Sequence, residues 1–234
     1  MRMLITGAEG RVGGVLREAL KDDHELILLD RRDPVESYCR CGRSGPFRAA
    51  DISDFCSIAP HFEGVETVIH LAADPNPTAP WQSLAQNNIT GTRNVYEAAA
   101  RAGVRRVIYA GSIHVYPYPT LYYENRPITG ETPTRAENHY GLSKIIGESI
   151  GLNYHRLHGM SVINLRLGAV SRYGGPGRSL PKGVRSLDYA IWLGHDDLKS
   201  IVRAAIRFEG YVSLCCVSAN EENFVDLTPI ERAL

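Results

Sequence analysis

The stretch "TGAEGRVG" (residues 6–13) decides how the rest of the chain is read. It follows a short apolar run, "MLIT" (3–6), and opens "VGGVLREALKD" (12–22), whose apolar residues recur at helical spacing. Strand, glycine turn and helix in that order make a cradle for a diphosphate. Gly7 permits the tight turn, Gly10 lets backbone come close to the phosphates, and Gly13 lets the helix pack on the strand. The helix N-terminus, beginning at Arg11 and Val12, then presents free N–H groups and the positive end of its dipole. A glycine triplet alone is a weak signal, but in this strand–turn–helix context it points to a bound dinucleotide.

Outward from that loop, apolar runs and helical patterns alternate. "ELILLD" (25–30) reads as a buried strand and "FRAAD" (47–51) as a weak one. "SDFCSIAPHF" opens a short helix with Ser53 as its N-cap. "ETVIHLAA" (66–73) is a strand, and "WQSLAQNNITGTRNVYEAAARAG" (81–103) one long helix closed by Gly103. "RRVIYAGS" (105–112) is a strand, the segment up to Glu137 mostly loop, 139–159 a second long helix and "MSVINLRLG" (160–168) a strand. Alternation of this kind predicts an α/β fold, a doubly wound parallel sheet of Rossmann type. Residues 1–168 are expected to form the cofactor-binding core. Residues 169–234, with a helix near 195–208 and a strand at 211–218, are expected to form a small C-terminal part covering the substrate, not an independent domain. The chain ends at "TPIERAL" inside a helical pattern, as a slightly shortened protein would.

The acids after the strands refine the cofactor. Asp30 ends the second strand, where a carboxylate accepts hydrogen bonds from the adenosine ribose and repels a 2′-phosphate, which favours NAD. Arg31 and Arg32 follow at once; they either clasp a 2′-phosphate or lie solvated in a loop. Asp51 and Ile52 end the third strand. The acid there meets the adenine amino group, or it makes an Asx turn or helix cap.

Composition excludes several classes. Lys plus Arg equals Asp plus Glu at 26 each, so no charge excess points to nucleic acid or an acidic membrane. No apolar run reaches the length of a bilayer span, and no signal-peptide cleavage site follows the N-terminus. Five cysteines are an odd number for a disulfide scaffold, so a reducing cytoplasm is the expected setting. Cys39 and Cys41 lack a second pair at ligand spacing, and no metal site is expected.

The stretch "YGLSK" (140–144) carries the chemistry. Tyr140 and Lys144 lie four apart, on one face of a helix. Ser112 ends the preceding strand, and ligands of such sheets sit beyond the carboxyl ends of the strands. Tyrosine, with an ordinary pKa of about 10, is a poor base at neutral pH. An ammonium one helical turn on favours its phenolate, and a serine hydroxyl holds the reacting oxygen for proton transfer.

Five motifs in order, "TGAEGRVG", "HLAA" (70–73), "NNITGTRNVYEAA" (87–99), "AGSIHVY" (110–116) and "YGLSK", resemble the extended short-chain dehydrogenase/reductase superfamily in its NAD-dependent epimerase/dehydratase branch. The resemblance covers nearly the whole chain. It implies Ser112, Tyr140 and Lys144 as the catalytic triad, with Lys144 also holding the nicotinamide ribose, Asn88 as support for a proton relay through the helix backbone, and Leu71, Ala72 and Ala73 along the adenosine side. "HLAADPNP", "SIHVY" and "WLGHDDL" (192–198) are similar to uronate dehydrogenases and related sugar dehydrogenases, including an archaeal glucose-6-phosphate type. That resemblance implies oxidation of the anomeric carbon of a hexuronic acid or related aldose to a lactone. It places Asn76, Ile113 and His114 on the substrate side, with a carboxylate-binding arginine near Arg185. The chain departs from the pattern at Ile113 and Ala169, where that family carries Asn and Ser.

Plainer readings stand beside these. His114 is a sugar contact or a packed loop histidine, whereas His70 reads as a satisfied core histidine. The acids of "HDDL" read as helix capping, Arg166 as one half of a structural ion pair, and Trp81 as core or dimer surface. A nucleotide-sugar epimerase or dehydratase on the same scaffold would need a larger C-terminal lobe. A non-catalytic NAD-binding protein would not need Ser112, Tyr140 and Lys144 together. The resemblance implies a homodimer paired through helices 81–103 and 139–158, with a sugar or sugar acid as small-molecule partner.

Overall fold

The computed structural model describes residues 1–31, 46–171 and 186–233. In chain order the elements are β1 (Arg2–Thr6), α1 (Arg11–Leu20), β2 (Glu25–Asp30), β3 (Phe47–Ala49), α2 (Phe55–Ile58), β4 (Thr67–His70), α3 (Trp81–Ser83), α4 (Gly91–Arg101), β5 (Arg106–Ser112), α5 (Tyr118–Tyr123), α6 (His139–His158), β6 (Ser161–Leu167), β7 (Ala169–Val170), α7 (Leu187–Ala190), β8 (Trp192–Leu193), α8 (His195–Ala205), β9 (Tyr211–Cys216) and α9 (Thr228–Ala233). Seven strands form one sheet in the order β3-β2-β1-β4-β5-β6-β9, every pair parallel. This is the doubly wound α/β sheet expected from the alternation. The order reverses between β1 and β4, and the crevice beyond their carboxyl ends is where such sheets bind ligands.

The strands read as unbroken apolar runs because both faces are covered. Met3, Ile5, Leu26, Leu28, Ile108 and Ile163 face one side and pack with Leu16 of α1 and Val202 of α8. Their neighbours Leu4, Ile27, Leu29, Val107 and Val162 face the other and pack with Val95 of α4 and Tyr154 of α6. Part of the C-terminal segment completes the same sheet: β9 pairs with β6, while β7 and β8 form a separate two-stranded pair.

Three local expectations change. α2 is capped by Asp54, not Ser53: the Asp54 carboxylate accepts from the N–H groups of Cys56 and Ser57. β4 stops at His70 because Leu71 and Ala72 donate to the Thr6 hydroxyl and turn the chain across the sheet edge. The long helix of 81–103 is not one α-helix. Leu84–Thr90 is π-helical between α3 and α4, and Gly91 donates to the Gln86 carbonyl five residues back. The Asn87 side chain drives this by donating to the Ser83 carbonyl, in competition with the α-helical backbone ladder. Trp81 is 46% exposed and is not core. The acids of "HDDL" sit in the first turn of α8, where the helix dipole favours them, while Gly194 holds the cap position without a side-chain cap.

Candidate active site

The glycine loop is built as a cradle. Gly7 has φ +69°, and a Cβ there would lie 2.7 Å from the Ala72 nitrogen. A Cβ on Gly13 would lie 2.4 Å from the Gly7 carbonyl oxygen. Gly10 caps α1 with no side-chain hydrogen bond, so no capping side chain takes the first N–H groups of the helix at Arg11, Val12 and Gly13, the groups an anion would bind. The Arg11 guanidinium donates to the Val170 carbonyl and ties the start of the helix to β7. Asp30, at the end of β2, accepts from the Glu9 N–H at 3.0 Å, which holds its carboxylate beside the loop. Glu9 itself is paired with Arg17. An acceptor beside uncapped helix N–H groups, in a loop that side chains would block, fits a dinucleotide. Asp51 makes an Asx turn to Ser53, and Ile52 is buried under Gly91, where a Cβ would lie 2.5 Å from it. Arg31 is exposed, while Arg32 lies outside the described residues.

Beyond β5 the candidate residues Ser112, Tyr140 and Lys144 come together. Ser112 is 6% exposed, and its hydroxyl accepts from the His114 N–H. Tyr140 is the second residue of α6. Burial raises its phenol pKa above the ordinary value, the hydrogen bond with Ser112 opposes that rise, and the charge of Asp74 adds to it. Lys144 lies one turn on and is buried. Its Nζ donates to the Ala110 carbonyl at 2.8 Å and sits 5.7 Å from the centre of the Tyr140 ring. Burial lowers its pKa to about 8, against the pull of Glu148. Gly141 permits this meeting: a Cβ there would lie 2.1 Å from the His114 carbonyl oxygen, so any other residue would push the first turn of α6 away from Ser112.

His114 packs edge-on against Tyr140, ring centres 5.4 Å apart. Asn138 fixes its tautomer. The Asn138 Oδ1 accepts from the Gly141 N–H, so its Nδ2 is the group that donates to His114 Nδ1. Nε2 then carries the proton and faces the Tyr118 hydroxyl at 3.4 Å, and burial lowers the imidazole pKa, so the ring is neutral.

Asn88 lies in the π-helical segment. Its side chain accepts from the Asp74 N–H, donates to the Asp74 carbonyl and donates to the Ser143 hydroxyl, which in turn donates to the Tyr140 carbonyl. It therefore staples the loop after β4 to the first turn of α6. Ala72 donates to Thr6, and Leu71 and Ala73 flank it, all half-buried.

Not every expected residue joins this group. Ile113 is 1% exposed, packed with Val115, Tyr116 and Leu121, and its side chain points into core and not into the crevice. Asn76 is exposed, and its carbonyl oxygen is spent on a turn to Thr78. Arg185 lies outside the described residues. His70 is a core histidine, bonded to Thr6 and Thr92, and burial lowers its pKa to about 3. Among the described residues no cluster of metal-ligating side chains occurs, and no helix is long and apolar enough to cross a membrane.

Two features escaped the sequence reading. Asp74 lies in the loop that Asn88 ties to the first turn of α6, and its charge raises the Tyr140 pKa. Behind Lys144, Glu148 is gripped in two-pronged fashion by Arg166, at 2.9 and 2.7 Å, and Arg166 also donates to the Tyr116 hydroxyl. Arg166 forms the structural ion pair expected of it; what could not be read from the sequence is that its partner is Glu148, on the helix of Lys144.

The NAD dependent epimerase/dehydratase family model matches residues 3–189. The chain belongs to that family. As a family member it is an NAD-dependent oxidoreductase of short-chain dehydrogenase type. It is 34% identical over 251 residues to the L-arabinose 1-dehydrogenase (NAD(P)(+)) of Haloferax volcanii, covering 100% of this chain and 94% of that protein. It is 31% identical to the uronate dehydrogenase of Pseudomonas syringae pv. tomato, covering 88% of this chain and 69% of that one. Among solved structures, a uronate dehydrogenase variant from Agrobacterium tumefaciens complexed with NAD superposes with a TM-score of 0.82, at 26% identity over 99% of this chain and 82% of that one. These likenesses agree with the resemblance to sugar dehydrogenases drawn from the motifs.

Proposed function

We propose that this family member oxidises the anomeric carbon of a free hexuronic acid or related aldose to a lactone. The observation that carries the reading is the meeting of Ser112, Tyr140 and Lys144 beyond β5, beside the glycine cradle. Ser112 holds the C1 hydroxyl, and the Tyr140 phenolate takes its proton. The C1–H bond gives up its electron pair as hydride while the C1 carbonyl of the lactone forms. NAD supplies the hydride acceptor. The Lys144 ammonium favours the phenolate. Arg11, Val12 and Gly13 would hold the diphosphate, and Asp30 the adenosine ribose. Incubation of the protein and NAD with uronic acids, aldoses and sugar phosphates should accumulate NADH with at least one of them. An epimerase returns its hydride, so sugar conversion without NADH would refute the reading.

The acid beside the glycine loop gives a cofactor prediction. Asp30 presents negative charge where a 2′-phosphate would lie, so NAD should bind at least about tenfold more tightly than NADP, about 1.4 kcal/mol. Equal affinities by calorimetry would mean that Arg31 and Arg32 govern the preference.

The outward faces of α4 and α6 are proposed to pair across a two-fold axis. Arg93, Ile146, Ile150 and Tyr154 line a groove between the two helices, and Leu142 and Leu157 stand exposed on α6. Light scattering at micromolar concentration should give twice the chain mass; a monomer would count against the pairing.

A further inference from the structure

Asp74 lies in the loop after β4 that Asn88 ties, through Ser143, to the backbone of Tyr140, and its position is fixed from both sides. Its backbone N–H and carbonyl are both taken by the Asn88 side chain, at 2.7 and 3.1 Å. Its carboxylate accepts from the Asn76 N–H at 3.1 Å and from the Ser83 hydroxyl at 2.5 Å. Both donors are uncharged, and among the described residues no lysine or arginine pairs with it. A carboxylate offers about four acceptor positions, so two remain. The side chain is half-buried, and Ala79 and Leu84, which follow it in the same loop and turn, pack on the Tyr140 ring.

The other polar groups around Tyr140 do not offset this charge for a substrate. Lys144 is 4% exposed, with its Nζ bonded to the Ala110 carbonyl. His114 is held neutral by Asn138. A sugar presented to Ser112 and Tyr140 therefore meets a fixed negative charge with spare acceptor capacity. A hydroxyl can donate to it, whereas a carboxylate or phosphate adds a like charge in a partly desolvated place.

We infer that Asp74 selects the substrate by charge, accepting a hydroxyl of a neutral aldose and repelling uronic acids and sugar phosphates. The inference rests on the reading of the enzyme as an anomeric-carbon dehydrogenase and, of the two substrate classes that reading names, decides for the neutral aldose over the hexuronic acid. The competing role is that Asp74 only shapes its loop through Asn76 and Ser83. Asp74→Asn separates the two roles, because the amide keeps an acceptor for the turn and loses the charge.

The test uses matched sugars that differ only at C6: D-glucose, D-glucuronate and glucose 6-phosphate, and D-galactose with D-galacturonate. With the wild-type protein, kcat/KM should be higher for the neutral member of each set. In Asp74→Asn the ratio of anionic to neutral kcat/KM should rise at least about tenfold, chiefly through a lower KM for the anionic sugar. A purely structural role would lower both members of a pair together and leave the ratio unchanged, which would overturn the inference. A wild-type preference for the uronates would also overturn it and would favour the anchor expected at Arg185. Calorimetric titration of each sugar into the protein with NADH reads the same selectivity without turnover. If no sugar yields NADH, the dehydrogenase reading fails, and the binding ratios still decide whether Asp74 sorts ligands by charge.

Discussion

Tyr140→Phe is expected to lower turnover by roughly 10²–10⁴-fold, the worth of a general base, and to leave NAD binding nearly intact. The packing supports so selective an effect. The Tyr140 ring contacts Ala79 and Leu84 and the edge of His114, and a phenyl ring keeps these contacts. Only the phenol hydroxyl is lost, and with it the group whose pKa Ser112 lowers. Lys144→Ala should behave differently and weaken both turnover and NAD affinity. In the proposed mechanism its ammonium serves Tyr140 and, as the family resemblance implies, the nicotinamide ribose. Single-turnover hydride transfer, measured beside NAD binding in both variants, separates the roles. Hydride transfer in Tyr140→Phe within about twofold of wild type would refute the assignment of the base.

Arg166→Met is expected to cost about 3–5 kcal/mol of folding stability, because it strands the Glu148 carboxylate in the interior. The two side chains are 13% and 8% exposed, and the guanidinium meets both carboxylate oxygens. Removing both charges should be far less harmful. The double variant Arg166→Met with Glu148→Gln should recover a large part of the loss, since the Glu148 carboxylate is no longer stranded. Urea unfolding of the two singles and the double measures this directly. A loss below about 1 kcal/mol in Arg166→Met would show that the pair is solvated well enough to behave as a surface bridge.

The parts that could be read from the sequence were those set by local rules. The glycines of residues 7, 10 and 13 meet demands of backbone geometry, and both the strand before them and the helix after them formed as expected. Tyr140 and Lys144 share a helix face by simple periodicity, and Ser112 was placed by strand-end logic. What escaped depended on competition or distance. Ser53 and Asp54 are both good caps, and only the strand exit decides which one meets Cys56 and Ser57. Ile113 follows Ser112, but the tight turn over Ile113–Val115 rotates its side chain into core. Asp74 lies inside "HLAADPNP", but nothing in that stretch singles it out, and the tie through Asn88 to the helix of Tyr140 forms only in the fold. Glu148 finds Arg166 only after β6 has been laid against β5.

The π-helical segment has a consequence for how this protein tolerates changes in length. A π turn accommodates an extra residue relative to the α-helix on either side of it. Each α-helical residue advances the chain by about 100° around the axis. Loss of a single residue between Leu84 and Asn87 would let α3 and α4 join as one regular helix. Everything before the deletion would then swing around the axis by about that angle relative to Asn88. Ser83 would leave the Asp74 carboxylate, and Asn88 could not hold both the loop and the first turn of α6. Surface loops in general tolerate gained or lost residues, but here the residue count is fixed to the unit. The spacing from Ser83 to Asn88 is as much a part of the site as the identities of the side chains.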